Sequence, residues 1–303
     1  MSEPTLAHHG RPARLAVGVV SAGRVGSVLG AALAAAGHIV VATSGVSRPS
    51  LNRAAALLPD VPLLPPDEVV KQADLVLLAV PDDVLPGLVK GLAAAGCFHP
   101  GQIVVHTSGA HGVKVLEPAV EHGVLPLALH PVMTFTGRPE DVERLAACCV
   151  GVTAAADDEA AWSVGEALVV EMGAEPVRIA EAVRPLYHAA LAYGANNLVT
   201  LVRDCAEILD RAGIRPAERL IGPLLSAALD NALRHGDRAL TGPVARGDTG
   251  TVRTHLRELA EADPEMVAAY RALAQRTAQR AAAAGMLAEH AAQDVQATLA
   301  EQP

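Results

Sequence analysis

Between residue 14 and about residue 180, short apolar runs rich in β-branched side chains alternate with segments of helical period. The runs fall at 15–20, 39–43, 75–80, 103–106, 125–129, 149–153 and 176–179. Such alternation predicts a parallel, doubly wound sheet. Several runs are almost wholly apolar, as strands covered by helices on both faces are. Beyond residue 179 the strand signal stops. Ala/Leu/Arg-rich segments follow, punctuated by glycine and proline at 213–216, 236, 242–250 and 263–264, and they predict helices alone. The expected class is therefore α/β. A polar tail spans 1–12, a doubly wound domain 13–180 and an all-helical domain 181–303, and no fixed-period repeat is found.

Composition narrows the partners. The 303 residues carry a formal charge of −9, which leaves no electrostatic footprint for a nucleic-acid backbone or an anionic membrane. Cys97, Cys148, Cys149 and Cys205 lack the C-x-x-C spacing of a zinc site, and the adjacent pair cannot easily close a bridge. A reducing cytoplasm fits that usage. The tail lacks an apolar signal core, and no later stretch holds the roughly 18 uninterrupted apolar residues that a membrane span needs. His8, His9, His99 and His111 form no metal-ligand pattern, so no metal is expected.

The segment Gly18-Val-Val-Ser-Ala-Gly-Arg-Val-Gly26 follows an apolar strand and opens a helix, the setting that a dinucleotide fingerprint requires. Gly23 lets backbone approach a pyrophosphate, Gly26 lets helix pack on strand, and the amides at Arg24 and Val25 begin the positive end of that helix. Ser21 stands where a first glycine is usual. Its side chain narrows the turn, and the alternative is a Rossmann-shaped domain that no longer binds cofactor. No acid ends the second strand to accept a ribose 2′-hydroxyl. Thr43-Ser-Gly-Val-Ser47-Arg48 instead offers hydroxyls and a guanidinium, which predicts NADP over NAD, with NAD as the alternative.

The chain resembles the family of oxidoreductases that join a Rossmann-like domain to a C-terminal DUF2520 domain, within the 6-phosphogluconate-dehydrogenase-like group. The resemblance rests on the fingerprint together with Asp74-Leu-Val-Leu-Leu-Ala-Val-Pro-Asp82, His106-Thr-Ser-Gly-Ala110, Leu129-His-Pro-Val-Met-Thr-Phe135, Tyr187-His-Ala-Ala190 with Asn196-Asn197, and Leu240-Thr-Gly-Pro-Val-Ala-Arg-Gly-Asp248. It implies a dinucleotide-binding domain, with Val80 and Pro81 against the cofactor, followed by a helical domain that often dimerises. It does not fix a substrate.

Hydride transfer to a carbonyl or imine needs orientation, a proton donor and donors facing developing charge. Ser108 and His130-Pro131 follow consecutive strands at the end where open α/β sheets bind ligands. That pairing is similar to prephenate dehydrogenases and implies that His130 polarises the reacting oxygen, with Ser108 assisting; the alternative is a structural loop histidine. His188 and Asn196 lie about a quarter turn apart on the next helix and are offered to the same cleft. The lysine that related ketopantoate reductases use there is missing. Arg246 and Thr249 sit in a turn placed like that of pyrroline-5-carboxylate reductases, where Asp248 or Thr249 caps a helix and Arg246 with free amides would hold a substrate anion. The reading is an NADPH-dependent reductase of a small anionic keto or imino acid, forming a homodimer. The alternatives are ketopantoate reductase-like or pyrroline-5-carboxylate reductase-like chemistry and, in another class, a non-catalytic dinucleotide-binding scaffold or sensor.

Overall fold

Each apolar run of the first domain forms a strand: β1 (Ala16–Val20), β2 (Ile39–Thr43), β3 (Leu75–Leu78), β4 (Ile103–His106), β5 (Leu125–Pro131), β6 (Cys149–Thr153) and β7 (Glu175–Arg178). The computed structural model describes residues 14–301, and the expected tail over 1–12 lies outside the described residues. The strands form one sheet in the order β2-β1-β3-β4-β5-β6-β7. Every neighbouring pair is parallel except β5 and β6. That pair is the exception to the expected parallel order: β6 starts at the end where β5 stops, after a connection whose one helix is the short Glu140–Leu145.

The period-2 alternation of the strands divides their side chains between two cores. Val17, Val19, Leu75, Leu77, Val105, Leu127 and Leu129 pack with Leu29 and Leu33 of α1 (Arg24–Ala35) on one face. Val20, Val76, Leu78 and Val104 pack on the other. Burial on both faces is what makes these strands read as continuous apolar runs.

After β7 the chain is helical. The longer helices that matter below are α2 (Arg48–Leu57) in the first domain, then α3 (Arg184–Arg211), α4 (Glu218–His235), α5 (Thr249–Ala262), α6 (Pro264–Ala283) and α7 (Glu289–Ala300). The chain divides into two compact units between Tyr193 and Gly194, inside α3. The second unit has a core of its own from Val244, Val252, Leu256, Val267, Ala278, Ala281, Val295 and Leu299. Among the described residues no helix is long and apolar enough to cross a membrane.

Candidate active site

β1 ends at Val20, and the turn Ser21 to Gly23 delivers the chain into α1. Gly23 is the N-cap of α1 in extended conformation, with no side-chain cap, and the first turn holds no acidic residue. Its first amides and the positive end of the helix are thus left for an external anion. Gly26 lies in that first turn. A Cβ there would collide with the Ser21 carbonyl oxygen and stand 2.9 Å from the Ala79 Cβ. Ser21 itself adopts φ +80°, a left-handed conformation that costs a non-glycine residue about 1 kcal/mol. The end of β2 holds it there. The Ser21 N–H donates to Ser44 Oγ at 2.8 Å and the Ala22 N–H to the Ser44 carbonyl at 2.6 Å. Serine at the first position has therefore not collapsed the turn. An uncapped helix, backbone-lined and free of acid, fits a dinucleotide's diphosphate.

Beyond β2, Ser47 caps α2: its Oγ accepts from the Ser50 N–H at 3.2 Å and lies 2.8 Å from the Ser50 hydroxyl. Arg48 is exposed on the first turn. The structure adds a cation that sequence reasoning passed over. Arg53 is half-buried and lays its Cδ beside Gly137, in the space a Cβ would fill, with Arg24 on the other side of the same glycine. Its Nε is buried without a partner. None of the ion pairs among the described residues involves Arg24, Arg48 or Arg53.

The ends of β4 and β5 meet the start of α3. His106 is fully buried; its Nδ1 accepts the Ser108 N–H at 3.2 Å, which leaves Nε2 to donate to the Gly112 carbonyl at 2.9 Å. Burial drives its pKa down to about 3, so it is a neutral brace for the turn over 107–112. Ser108 is also buried, and its Oγ accepts the His111 N–H at 3.0 Å. The structure gives Ser108 Oγ no hydrogen bond to His130. Gly109 is where the distant segments converge. A Cβ on it would lie 2.5 Å from His188 Cδ2 and 2.8 Å from His130 Nε2.

His130 is not a loop residue after β5, as its sequence position implied. The strand continues through it, paired with Gly151 of β6. Its Nδ1 lies 2.8 Å from the Tyr187 hydroxyl, and the rings of Tyr187 and His188 both approach it edge-on, at 5.6 and 5.8 Å. Burial foremost, then the charges of Arg184 and His188, push His130 down to about 4. It is a neutral imidazole at pH 7, which removes an imidazolium as the proton donor there. Tyr187, one residue before the histidine singled out in the sequence, is the direct partner. Asn196 is exposed and belongs to the second unit.

In that unit, Gly247 takes the left-handed conformation, and Asp248 caps α5 through Oδ1, which accepts the Thr251 N–H at 3.0 Å. The cap is the expected one. Asp248 takes the Thr251 amide and also accepts the Thr251 hydroxyl at 2.7 Å. Arg246 is exposed.

Family models match residues 1–131 as a Rossmann-like domain and residues 148–277 as a domain of unknown function, DUF2520. A search of curated proteins gave no match. Among solved structures, BF3122 from Bacteroides fragilis, provisionally described as an NADP oxidoreductase, shares 20% identity at TM-score 0.72, over 87% of this chain and 98% of its own. An imine reductase from Pseudomonas sp. shares 19% identity at TM-score 0.59, over 83% of this chain and 88% of its own. Pyrroline carboxylate reductase of Plasmodium falciparum, solved with NADP bound, shares 11% at TM-score 0.53, over 94% and 98%. At these identities the likeness is one of fold. The chain belongs to the family in which a Rossmann-like domain is followed by a DUF2520 domain.

Proposed function

We propose that this protein is an NADPH-dependent reductase of a small anionic keto or imino acid. One observation carries the reading: the uncapped phosphate loop after β1, Gly109 after β4 and His130 of β5, with Tyr187 of α3 bonded to it, lie at the carboxyl ends of parallel strands in one sheet. The bound dinucleotide supplies a hydride to the substrate carbon. The chain's own residues supply the proton. In the tautomer with its hydrogen on Nε2, neutral His130 points a donor at the crevice beside Gly109, while Nδ1 accepts from Tyr187. As negative charge grows on the substrate's oxygen or nitrogen, His130 releases the Nε2 proton and takes the Tyr187 proton at Nδ1. His188 closes the other side of the imidazole. In the second unit, Arg246 and Thr249 are the groups offered to an anion. Oxidation of NADPH by an oxo acid supports ketopantoate reductase-like chemistry, and oxidation by a cyclic imino acid supports pyrroline-5-carboxylate reductase-like chemistry. A sensor or scaffold binds nucleotide and oxidises it with neither.

The NADP preference is supported by Ser47, Arg48 and Arg53 around the end of β2, where no acid competes. A 2′-phosphate meeting a guanidinium forms charge-assisted bonds worth about tenfold or more in affinity. NADPH is accordingly expected to bind at least about tenfold tighter than NADH, and Arg48→Gln to narrow that ratio. Equal affinities in a fluorescence titration remove the preference.

We also infer a homodimer through the second unit. Leu220, Leu224, Leu229 and Leu233 of α4 are 59, 66, 51 and 80% exposed, in two pairs on opposite sides of the helix, and one helix leaving so much apolar surface to water marks an interaction element. Light scattering is expected to give twice the chain mass of 31.1 kDa. A monomer at high concentration contradicts it.

A further inference from the structure

Among the described residues, the largest fully buried side chain is an arginine. Arg184, the first residue of α3, has no exposed surface. Its two terminal nitrogens donate to Thr153 Oγ1 at 2.6 Å and to the Ser108 carbonyl at 2.7 Å, and its Nε is buried with no partner. Both acceptors are neutral, and no ion pair among the described residues includes this guanidinium. A guanidinium stays charged in a protein, and a buried charge without a carboxylate against it is costly. Stability alone gives little reason to keep a cation there, since its two acceptors would accept from a neutral donor as well.

Its surroundings supply one. The Ser108 carbonyl that it holds belongs to the residue before Gly109, the point at which His130 and His188 converge. Its guanidinium carbon lies 5.9 Å from the Tyr187 ring. The other charged or titratable groups around this cluster are Asp82 in the loop after β3, Glu181 just before α3, His106 and His111 of the β4 turn, Cys148 and Cys149 at the start of β6, and His188. Glu181 is engaged elsewhere, accepting the Val113 N–H at 2.7 Å.

We infer that Arg184 is a positioning residue for the Tyr187–His130 proton relay: it holds Gly109 against His130 through the Ser108 carbonyl and sets a fixed positive charge beside the pair. The role rests on the reductase reading. A cation near the pair opposes a second positive charge on His130 and stabilises negative charge developing on Tyr187 oxygen. Neither effect needs the guanidinium to touch substrate.

The test separates charge from scaffold with two variants. Arg184→Lys keeps the charge and loses the fork; Arg184→Gln loses the charge and keeps a donor for the Ser108 carbonyl. The readout is the pH titration of the His130 ring by NMR in the full chain, which needs no substrate. The wild type is expected to titrate far below 6.5, Arg184→Lys with it, and Arg184→Gln higher by about one pH unit or more. A merely structural arginine lowers the melting temperature of both variants and leaves the His130 midpoint in place. An unmoved midpoint in Arg184→Gln therefore overturns the inference. So does a wild-type midpoint near 6.5, which decides the matter even if neither variant folds. Failure of the reductase reading registers separately, as a wild type that binds no nucleotide.

Discussion

Gly26→Ala is expected to abolish dinucleotide binding, with a loss of more than about a hundredfold, and to destabilise the fold by about 2–3 kcal/mol. The added Cβ meets the Ser21 carbonyl oxygen, which is backbone, and the Ala79 Cβ on the end of β3. Neither is the far end of a flexible side chain. Relief requires α1 to lift from the strand or the Ser21 turn to open. That turn already holds a serine at φ +80° through its bond to Ser44, so it has little further conformation to yield. Either movement displaces the first amides of α1 from the place where a diphosphate must sit. The check is a nucleotide titration beside a thermal melt. A Gly26→Ala protein that binds NADPH as the wild type does would show that the diphosphate sits elsewhere.

Tyr187→Phe and His130→Ala are each expected to lower kcat by about 10²- to 10⁴-fold, the range that a positioned acid contributes, while NADPH affinity stays within about twofold. Tyr187→Phe removes one hydroxyl and keeps the ring that packs edge-on against His130, so the fold is spared. The pH profile carries independent information. Because His130 is held at about 4, its neutral form persists as pH falls from 7 to 5, and the rate should not fall with a midpoint near 6.5. A bell limb at 6.5 that vanishes in His130→Ala would instead make the imidazolium the acid. Wild-type turnover by the Tyr187→Phe protein would remove the relay and leave His130 acting alone.

Period and glycine placement made the first domain legible in the sequence. The seven apolar runs are the seven strands to within two residues at their ends; the central strands, buried on both faces, leave no polar positions to blur the signal, whereas the edge strand β7 is largely exposed. The direction of β6 was not legible. It depends on the path of the chain between Pro131 and Cys149, whose one helix is Glu140–Leu145, and no local pattern of residues specifies that path. The phosphate loop was found from a glycine pattern and a strand–helix context that are both local. Of the proposed catalytic pair, one member was legible. His130 stood out beside Pro131, whereas Tyr187 reads as an ordinary helix aromatic until β5 brings its partner to 2.8 Å. Arg184 gave no signal at all, since an arginine opening a helix is usually solvated and only the packing of β4 and β6 residues around it makes it buried. Arg53 was missed for a related reason. Its neighbour Gly137 lies 84 positions along the chain, and no local pattern joins them. The Asp248 cap at the turn over 242–251 was legible from the residues alone, because the capping bond is local.

The most direct test is titration of the protein with NADPH and NADH, followed by nucleotide fluorescence and confirmed by the rise in melting temperature that a native-state ligand produces. Saturable binding of NADPH, tighter than NADH, is the predicted result. If neither nucleotide binds, the uncapped start of α1 is not a dinucleotide site and the reductase assignment is wrong.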